Sequence, residues 1–538
     1  MRGDSTMGSA RGRIGRAILV ALLASLVVPV SANEPIGSVY RDYVRVLALL
    51  GRSTWTPRSF NTYSDGVRLA ETVAADHLWS DRFPRTSASF NGIHLLDPEL
   101  RVSGNTHLPF NRNNQAQWEG RGINTWLSAG LGFQWGDFRG ALAPEFWFAQ
   151  NLSFDTLPSH PSIESEWGDY FAGIDRPQRF GDDPVVAFGL GQTGVRFERW
   201  NLGVALTTEN MWLGPGMDNA IVMSNNASGF PRFEIGTAEP AQTRFGRFEA
   251  VTWWGRLTES DFFDSNGDND HTFHLGYSLG YVPPVLDNLY LGFNRAYLSP
   301  WSTIDTFKVF QHFDTFFKNN RRTFNGGEDD IHQVASLTAH WFLPAAGFEV
   351  FLEWARNDHT SNFNDFLRNP EHSQAFTFGF RKAYDLEQLY LVLEGELTKL
   401  GNNETTTLGS PRPTFPYYRH GPVAQGYTNQ GQIMGAWIGT GSNSQYLGAK
   451  GYFPWGVAHA GVQRVAWDQD YYLQFQSALG DRTFGGYQVS VLYSAGATVF
   501  VTPFDLGLDY SLQQTLNRNW QDSNTFNHTV AVSARYRF

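Results

Sequence analysis

The chain has 538 residues, of which 17% are charged and 15% aromatic, with a formal net charge of −11 and no cysteine. The absence of cysteine excludes disulfide frameworks, thiol catalysis and Cys-zinc sites. The acidic net charge argues against binding to nucleic acid, because proteins that bind nucleic acid carry a basic patch. A mean hydropathy of −0.34 excludes a bundle of membrane-spanning helices, because each such helix needs an apolar run of ~20 residues.

Residues 1–32 have the pattern of a secretory signal peptide. Arg11, Arg13 and Arg16 precede an apolar stretch, and small residues end at Ala32, where we predict cleavage. The apolar stretch is too short to span a membrane as a helix. We therefore expect the mature chain to leave the cytoplasm. Since it has no long apolar run, a barrel is the form in which it would enter a membrane.

Residues 33–99 are predicted to form a small helical unit. Apolar residues recur at helical spacing over 39–50, and a glycine follows as a stop. A second helix is predicted over 67–78, with Ser64 or Asp65 as its cap.

From residue 100 to residue 538 the apolar period changes to two. One face of the segment 348–354 carries Phe, Val, Leu and Trp, while Glu349 and Glu353 lie on the other. The same alternation recurs at 273–281, 389–397 and 504–512. These segments are ~10 residues long, as a tilted strand needs to cross a bilayer, and apolar-out, polar-in alternation is typical of transmembrane barrels. A soluble β-sandwich is the alternative, but no second apolar face appears along the chain, which favours an all-β transmembrane barrel.

The connections between the strands support the same architecture. Short turns are predicted at Gly136, Trp200, Pro240, Pro284, Pro344, Asp385, Trp455 and Pro503. Long polar loops are predicted at 108–121, 152–185, 212–229, 260–270, 299–330, 359–371, 401–442, 468–485 and 517–524. Short and long connections alternate, so eight turns and nine loops predict eighteen antiparallel strands with short periplasmic turns and long outer loops.

The last segment of the sequence is an amphipathic strand that ends on an aromatic residue. Val530, Val532 and Phe538 share one face, and Arg535 and Arg537 share the other. This ending resembles the C-terminal signal of bacterial outer-membrane proteins. It predicts an integral protein of the Gram-negative outer membrane with its loops at the cell surface. We expect a monomer in contact with outer-membrane lipid and lipopolysaccharide, since a barrel closes its own edges.

Several sequence segments resemble those of one protein family and occur in the same order along the chain. They include TTENMWLGPGMDNAIVMSNNASGFP at 207–231, FGRFEAVTWWGRLTES at 245–260 and GYTNQGQIMGAWIGTGSNSQ at 426–445. From about residue 100 onwards the chain is similar to the Wzi-type capsule assembly proteins. The resemblance implies an eighteen-stranded outer-membrane barrel with periplasmic helices at its base. It also implies a surface lectin that binds capsular polysaccharide and organises its attachment, without catalytic chemistry or a cofactor.

The chain departs from the family pattern at two places. Gly439-Thr440-Gly441 stands where Gly-Pro-Gly is expected, and Leu213 stands where a second tryptophan is expected after Trp212. Both departures fall in predicted outer loops, so they bear on which sugar the protein binds.

Two predicted outer loops carry the residue types that sugar recognition needs. Aromatic faces pack on C–H-rich rings, and a few amides and carboxylates bind neighbouring hydroxyls. The candidates are Trp212, Asp218, Asn219 and Asn225 in one loop and Tyr417, Tyr418, His420, Tyr427, Asn429 and Trp437 in the other. The same residues also suit turn geometry and packing of the loops over the barrel mouth. The stronger expectation of sugar contact rests on the loop 401–442.

One acidic loop partly matches the sequence pattern of a calcium-binding loop. Asp264, Asn266, Asp268 and Asp270 alternate as in a calcium loop, but the glycine is not at the sixth position and Leu275 replaces the bidentate glutamate. We therefore expect a solvated loop and no metal site.

Two other functions compete with the lectin. A porin-like channel for small solutes or sugars is the alternative, because barrels of this size can hold an aqueous pore; long aromatic loops and a helical base would close such a pore. A hydrolase is disfavoured, since His372 and Ser373 would leave opposite faces of a strand and no Gly-x-Ser-x-Gly elbow occurs. We therefore expect no enzyme. Glu353, Arg356 and Asp358, with their lumen neighbours Glu394 and Glu396, are expected in charge networks inside the barrel.

Overall fold

The computed structural model describes residues 34–85, 91–267, 269–304, 306–310, 331–358, 363–402, 416–475 and 486–538. The predicted leader, 1–32, lies outside the described residues. Across the described ranges, no helix combines the length and the apolar character that a bilayer crossing requires.

Eighteen antiparallel strands form a closed barrel, as the sequence predicted. The first nine are β1 (Gly92–Asn105), β2 (Gly122–Trp135), β3 (Phe138–Leu142 and Glu145–Ala149), β4 (Val185–Gly189 and Gly194–Arg199), β5 (Leu202–Thr207), β6 (Arg232–Thr237 and Ala241–Thr243), β7 (Gly246–Thr258), β8 (His271–Val282) and β9 (Leu289–Pro300). The others are β10 (His332–Leu343), β11 (Phe348–Asn357), β12 (Gln374–Asp385), β13 (Tyr390–Lys399), β14 (Asn443–Phe453), β15 (Gly456–Ala466), β16 (Val489–Val501), β17 (Phe504–Leu516) and β18 (Thr525–Tyr536). The barrel closes where β1 pairs with β18.

Two predicted boundaries are wrong. The first strand begins at Gly92, so residues 92–99 belong to the barrel and not to the helical unit. The turn predicted at Pro240 lies instead at Arg244 and Phe245. Proline cannot donate a ladder bond; residues 238–240 therefore interrupt β6, which resumes for three residues before the chain reverses. The other seven turns lie where the sequence placed them.

The nine long connections lie at the opposite end of the barrel, the outer end. We name them L1 (106–121), L2 (150–184), L3 (208–231), L4 (259–270), L5 (301–331), L6 (358–373), L7 (400–442), L8 (467–488) and L9 (517–524). L5 contains a 3-10 turn, Trp301–Thr303, and α3 (Thr306–Val309); L6 contains α4 (Phe363–Arg368) and L8 contains α5 (Gln469–Phe475). Two further 3-10 turns are Pro344–Ala346 and Arg518–Trp520.

Apolar side chains girdle the outside of the barrel, and polar side chains face its lumen. Leu352 and Leu508 are 42% and 57% exposed on the outer face, whereas Glu349 and Glu353 are fully buried on the inner face. Lipid covers this outer face in a membrane, because apolar-out alternation leaves no second apolar layer to pack against it.

One part of the outer wall is covered by protein. The side chains of Arg295 and Gln333 point outward, and an Arg295 Nε–H donates to Gln333 Oε1 at 2.9 Å, yet Arg295 is only 1% exposed. The start of L5 descends over this wall, where Trp254 Nε1 donates to the carbonyl of Val309 at 2.9 Å. The charged group is thereby removed from lipid contact, which is costly for arginine.

A helical unit fills the periplasmic end of the lumen. It consists of α1 (Val39–Leu49), a 3-10 turn (Ser64–Arg68) and α2 (Leu69–Thr72). Tyr43 of α1 stacks on Trp79 with 3.9 Å between ring centroids. Ion pairs tie α1 to the wall, with 2.8 Å between Arg45 Nε and Glu349 Oε1.

The second predicted helix is much shorter than expected. Its α-helical part ends at Thr72, where the chain becomes extended and Val73 pairs with Ser53. Neither predicted cap acts as one, because an Asp65 carboxylate oxygen accepts from the backbone and hydroxyl of Thr62 instead. Tertiary pairing thus overrides the helical spacing.

Candidate functional site

L3 leaves the wall and crosses the lumen. A carboxylate oxygen of Glu396 on β13 accepts from the backbone N–H of Met217 at 2.6 Å, and its other oxygen accepts from that of Asn219 at 2.8 Å. Glu353 on β11 accepts from the N–H of Ile221 at 3.0 Å. These inward carboxylates therefore bind the backbone of L3.

The N-terminal unit meets L3 inside the barrel. The short strand Phe60–Thr62 pairs with Met211–Leu213 of L3. The N–H of Ser64 donates to Glu209 Oε2 at 3.1 Å.

Residues 416–442 of L7 also fold into the barrel and bind L3. Within it Thr428–Asn429 pairs with Gln432–Ile433. The Tyr418 hydroxyl donates to the carbonyl of Ile221 at 2.7 Å, and the Ser224 hydroxyl donates to that of Gly435 at 2.6 Å. We call residues 208–231 and 416–442 together the plug, because they form one hydrogen-bonded unit across the lumen.

The plug contains all ten residues that the sequence proposed for sugar contact, and it buries them. Their exposed fractions are at most 8%: Trp212, Asp218, Asn219, Asn225, Tyr417, Tyr418, His420, Tyr427, Asn429 and Trp437. Burial raises the pKa of the Tyr417 and Tyr418 hydroxyls far above its usual value. Sugar contact by these residues stays a prediction, while their observed contacts are with one another and with the wall.

Asp218 is the best-connected of the ten. Its carboxylate accepts from Arg112 Nε at 2.7 Å, Trp437 Nε1 at 2.9 Å and Gln463 Nε2 at 2.7 Å. The donors come from L1, L7 and β15, so this one carboxylate joins L3 to two other loops and to the wall.

A cavity of about 600 Å³, with several charged residues in its lining, lies between the plug and α1. Trp212 and Asp218 line it from above, Asp42 and Arg45 line it from below, and Asp509 lines it from the wall. The Asp509 side chain is 53% exposed to this space. The lumen therefore keeps one solvent-accessible chamber beneath the plug.

Four tyrosines lie together in two outer loops, L2 and L8, in which the sequence pattern suggested no sugar contact. Tyr170 of L2 and Tyr471 of L8 meet edge to face with 4.6 Å between ring centroids, and Tyr472 and Tyr487 lie 4.8 Å apart. All four are partly exposed, and we call them the aromatic patch. The sequence Asp-Gln-Asp-Tyr-Tyr at 468–472, two tyrosines beside carboxylates in a long loop, was the pattern that could have indicated this patch.

A buried ionic network holds the patch on the plug. The fully buried Arg419 of L7 lies 2.9 Å from a carboxylate oxygen of Asp169 in L2. The Tyr170 hydroxyl donates to Asp468 Oδ2 at 2.7 Å and accepts from Arg176 at 2.9 Å. The orientation of Tyr170 thus depends on L2, L7 and L8 together.

L2 and L4 meet at a buried carboxyl group. Both the N–H and the hydroxyl of Ser260 donate to Asp175, each at 2.6 Å. Burial raises the pKa of Asp175 to about 7. Burial and the nearby Asp175 also raise the pKa of Glu259, to about 8.

The acidic part of L4 organises its own turn. Asp264 accepts from the N–H of Asn266 at 2.8 Å and from the side chain of Asn269 at 3.2 Å. Asp268 lies outside the described residues.

Two expectations about single residues are wrong. Ser373 Oγ lies 3.4 Å from His372 Nδ1, because the two residues sit in a turn before β12, where Ser373 has a positive φ and strand alternation does not apply. Arg356 points away from the lumen, over the ring of Phe366. Glu394 does belong to one, with 3.0 Å between its carboxylate and Arg381.

The fold and the plug define an integral outer-membrane β-barrel whose lumen is crossed by its own loops. A family model described as capsule assembly protein Wzi matches residues 106–459, and the chain belongs to this family. No curated protein sequence matches the chain.

One solved structure shows the same fold. It is described as Wzi, an outer-membrane protein involved in group 1 capsule assembly in Escherichia coli and a carbohydrate-binding β-barrel. It is 12% identical, with a TM-score of 0.61, and the match covers 95% of this chain and all of that one. OprB of Pseudomonas putida is 13% identical with a TM-score of 0.36, over 82% of this chain and 93% of that one.

Proposed function

We propose that this protein is a surface lectin that binds capsular or extracellular polysaccharide and organises its attachment to the cell. Membership of the Wzi family supports this proposal, as does the carbohydrate binding described for the Escherichia coli protein. The observation that carries it is the plug, which fills the outer part of the lumen and supports an aromatic patch at the outer surface.

The aromatic patch has the chemistry of a polysaccharide site. Partly exposed aromatic rings offer flat faces to the C–H groups of sugars, and such rings bury a large area at little entropic cost. Arg518 and Asn519 of the neighbouring L9 add polar groups beside Trp520, whose ring lies 4.9 Å from that of Tyr471. An extended polymer can lie across such a surface without entering the lumen.

The ten buried candidates then act through the shape of the plug. Tyr418 and Asp218 fix L3 and L7 to each other and to the wall, and Arg419 carries that order to the patch. On this proposal these residues position the surface that binds the polymer, and the protein acts by binding alone.

The contacts of the plug argue against the porin-like alternative. L3 is bound to β11, β13 and β15 through Glu353, Glu396 and Gln463. It thus crosses the space that a solute would have to pass.

Binding of purified capsular polysaccharide by the purified barrel tests the proposal. We expect Tyr471→Ala with Tyr472→Ala to weaken binding about tenfold or more, because aromatic contacts are worth ~0.5–1.5 kcal/mol each beyond area burial. Tyr384→Ala is the matched control, since Tyr384 is 40% exposed but lies at the periplasmic end of β12. Equal binding by the double variant and the control would contradict the proposed patch, and no binding by the unmodified barrel would contradict the lectin.

A further inference from the structure

The barrel wall is incomplete in its outer half between β4 and β7. β5 and the first segment of β6 are six residues long and pair only with the inner parts of their neighbours, up to Gly194 on β4 and Gly255 on β7. Beyond that level L3 turns into the lumen. The outer segment of β4, Val185–Gly189, pairs with β3 and, within the described ranges, with no strand on its other edge. We call this opening the notch.

The notch opens onto an apolar groove on the lipid side of the wall. The groove has a volume of about 740 Å³, within the range of small-molecule sites, ~300–1,000 Å³. Its outward walls include Leu142, Val195, Leu206, Phe233, Trp254 and Trp301. Leu206 is 61% exposed, and Phe188 on the unpaired edge is 73% exposed. These side chains suit a hydrocarbon occupant.

The edge of the notch needs a polar occupant as well. Alternate residues of a strand direct their N–H and C=O groups to each edge, so some groups of Val185–Gly189 point into the notch. Open strand edges are not tolerated against hydrocarbon, because every unpaired group is costly there. A pure alkyl chain therefore cannot form hydrogen bonds with these backbone groups, whereas a molecule with both hydroxyls and alkyl chains can.

Arg256 supplies an exposed charge at the rim, whereas Arg232, which also lines the groove, is buried and paired with Glu234. Arg256 points outward from β7, two residues before the outer end of the strand. It is exposed, stacks over Trp301 at 6.0 Å from the ring centroid and has no ion pair in the described part of the chain. Arginine next to lipid is costly unless it lies near the interface or meets an anion.

We propose that the notch and its groove bind the phosphorylated, acylated disaccharide of the outer leaflet, the lipid A part of lipopolysaccharide. The alkyl chains lie against Leu206, Phe233 and Trp254, the sugar hydroxyls meet the unpaired edge of β4, and a phosphate pairs with Arg256. Charge complementarity selects this occupant, since Arg256 is the cation of the groove's rim.

Native mass spectrometry of the full mature barrel tests the proposal. The probes are bis-phosphorylated lipid A, the same lipid with its phosphates removed and phosphatidylglycerol. We expect the first to bind most tightly and Arg256→Ala to weaken it about tenfold, the effect of one hydrogen bond to a charged group. Arg244→Ala is the matched control, since Arg244 also stacks on an aromatic ring, Phe245, but at the periplasmic turn. Unchanged binding by Arg256→Ala, or equal binding of the three lipids, would overturn the proposal.

A second measurement separates the notch from the lipid that surrounds any barrel. A photo-crosslinking residue at Phe188 should capture lipopolysaccharide in cells at several times the yield obtained at Tyr493. Tyr493 is 50% exposed on the outer face of β16, where the wall is continuous. Equal yields at the two positions would show unspecific contact and refute the site. Neither measurement depends on polysaccharide binding.

Discussion

Replacing Glu396 by alanine should release L3 from the wall. The carboxylate accepts from three consecutive backbone N–H groups, those of Met217, Asp218 and Asn219. Each buried donor left without an acceptor costs ~1–3 kcal/mol. Water from the neighbouring cavity can replace part of the loss, so we take the lower limit and expect the plug to lose about 3 kcal/mol of local stability.

Hydrogen exchange followed by mass spectrometry measures this loss directly. Because 1.4 kcal/mol corresponds to a factor of about ten, the amides of 217–221 should exchange roughly a hundredfold faster in the alanine variant. Glu396→Gln keeps one carbonyl acceptor, and we expect an intermediate rate. A steady conductance in planar bilayers should accompany the alanine variant if L3 leaves the lumen.

Glu394 provides the matched control. It lies two residues before Glu396 on the same inward face of β13, but its partners are Arg381 and Lys450, at 3.0 and 3.2 Å. Glu394→Ala should leave exchange at 217–221 unchanged. If both variants accelerate exchange equally, or neither does, the assignment of Glu396 as the anchor of L3 is refuted.

Two further outcomes follow from the charges. Arg381 is 3% exposed and lies 2.6 Å from Asp42, so Arg381→Ala should cost ~3–5 kcal/mol, the effect of breaking a buried pair, and chemical denaturation should show α1 loosening first. The raised pKa of Asp175, about 7 against 3.8, means that the folded state binds this proton more tightly than the unfolded state does, so its contact with Ser260 should lose stability as the pH rises from about 4 to about 7. Exchange at 258–263, corrected for its intrinsic pH dependence, should show this, and Asp175→Asn should leave only the change due to Glu259.

The barrel could be predicted from the sequence because bilayer and lumen impose opposite demands on alternate residues. Glu349 and Glu353 lie inward, as the alternation required, and Leu352 lies outward. Pro284 and Pro503 lie in the turns predicted for them, since neither can donate to a ladder. The turn predicted at Pro240 was wrong because a proline that interrupts a strand gives the same local sequence pattern as a proline in a turn.

The course of the long loops could not be predicted from the same patterns. Tyr418 and Trp437 are residue types that often contact sugars, but the same aromatic side chains also pack well inside a lumen. A clue was available in Glu353 and Glu396, inward carboxylates that required donors. The notch was also missed, because the shortness of β5 depends on where L3 turns inward and not on any local punctuation.

The pairing of Glu34 with β18 ties the N-terminal unit to the place where the barrel closes. Glu34 lies 3.0 Å from Arg535, and Arg537 lies 2.9 Å from Asp97 of β1. Arg535 of β18 and Arg537 directly after it thus both contact Glu34 of the N-terminal unit and Asp97 of β1. The closure of the barrel and the attachment of the N-terminal unit therefore share the same ion pairs, so weakening one weakens the other.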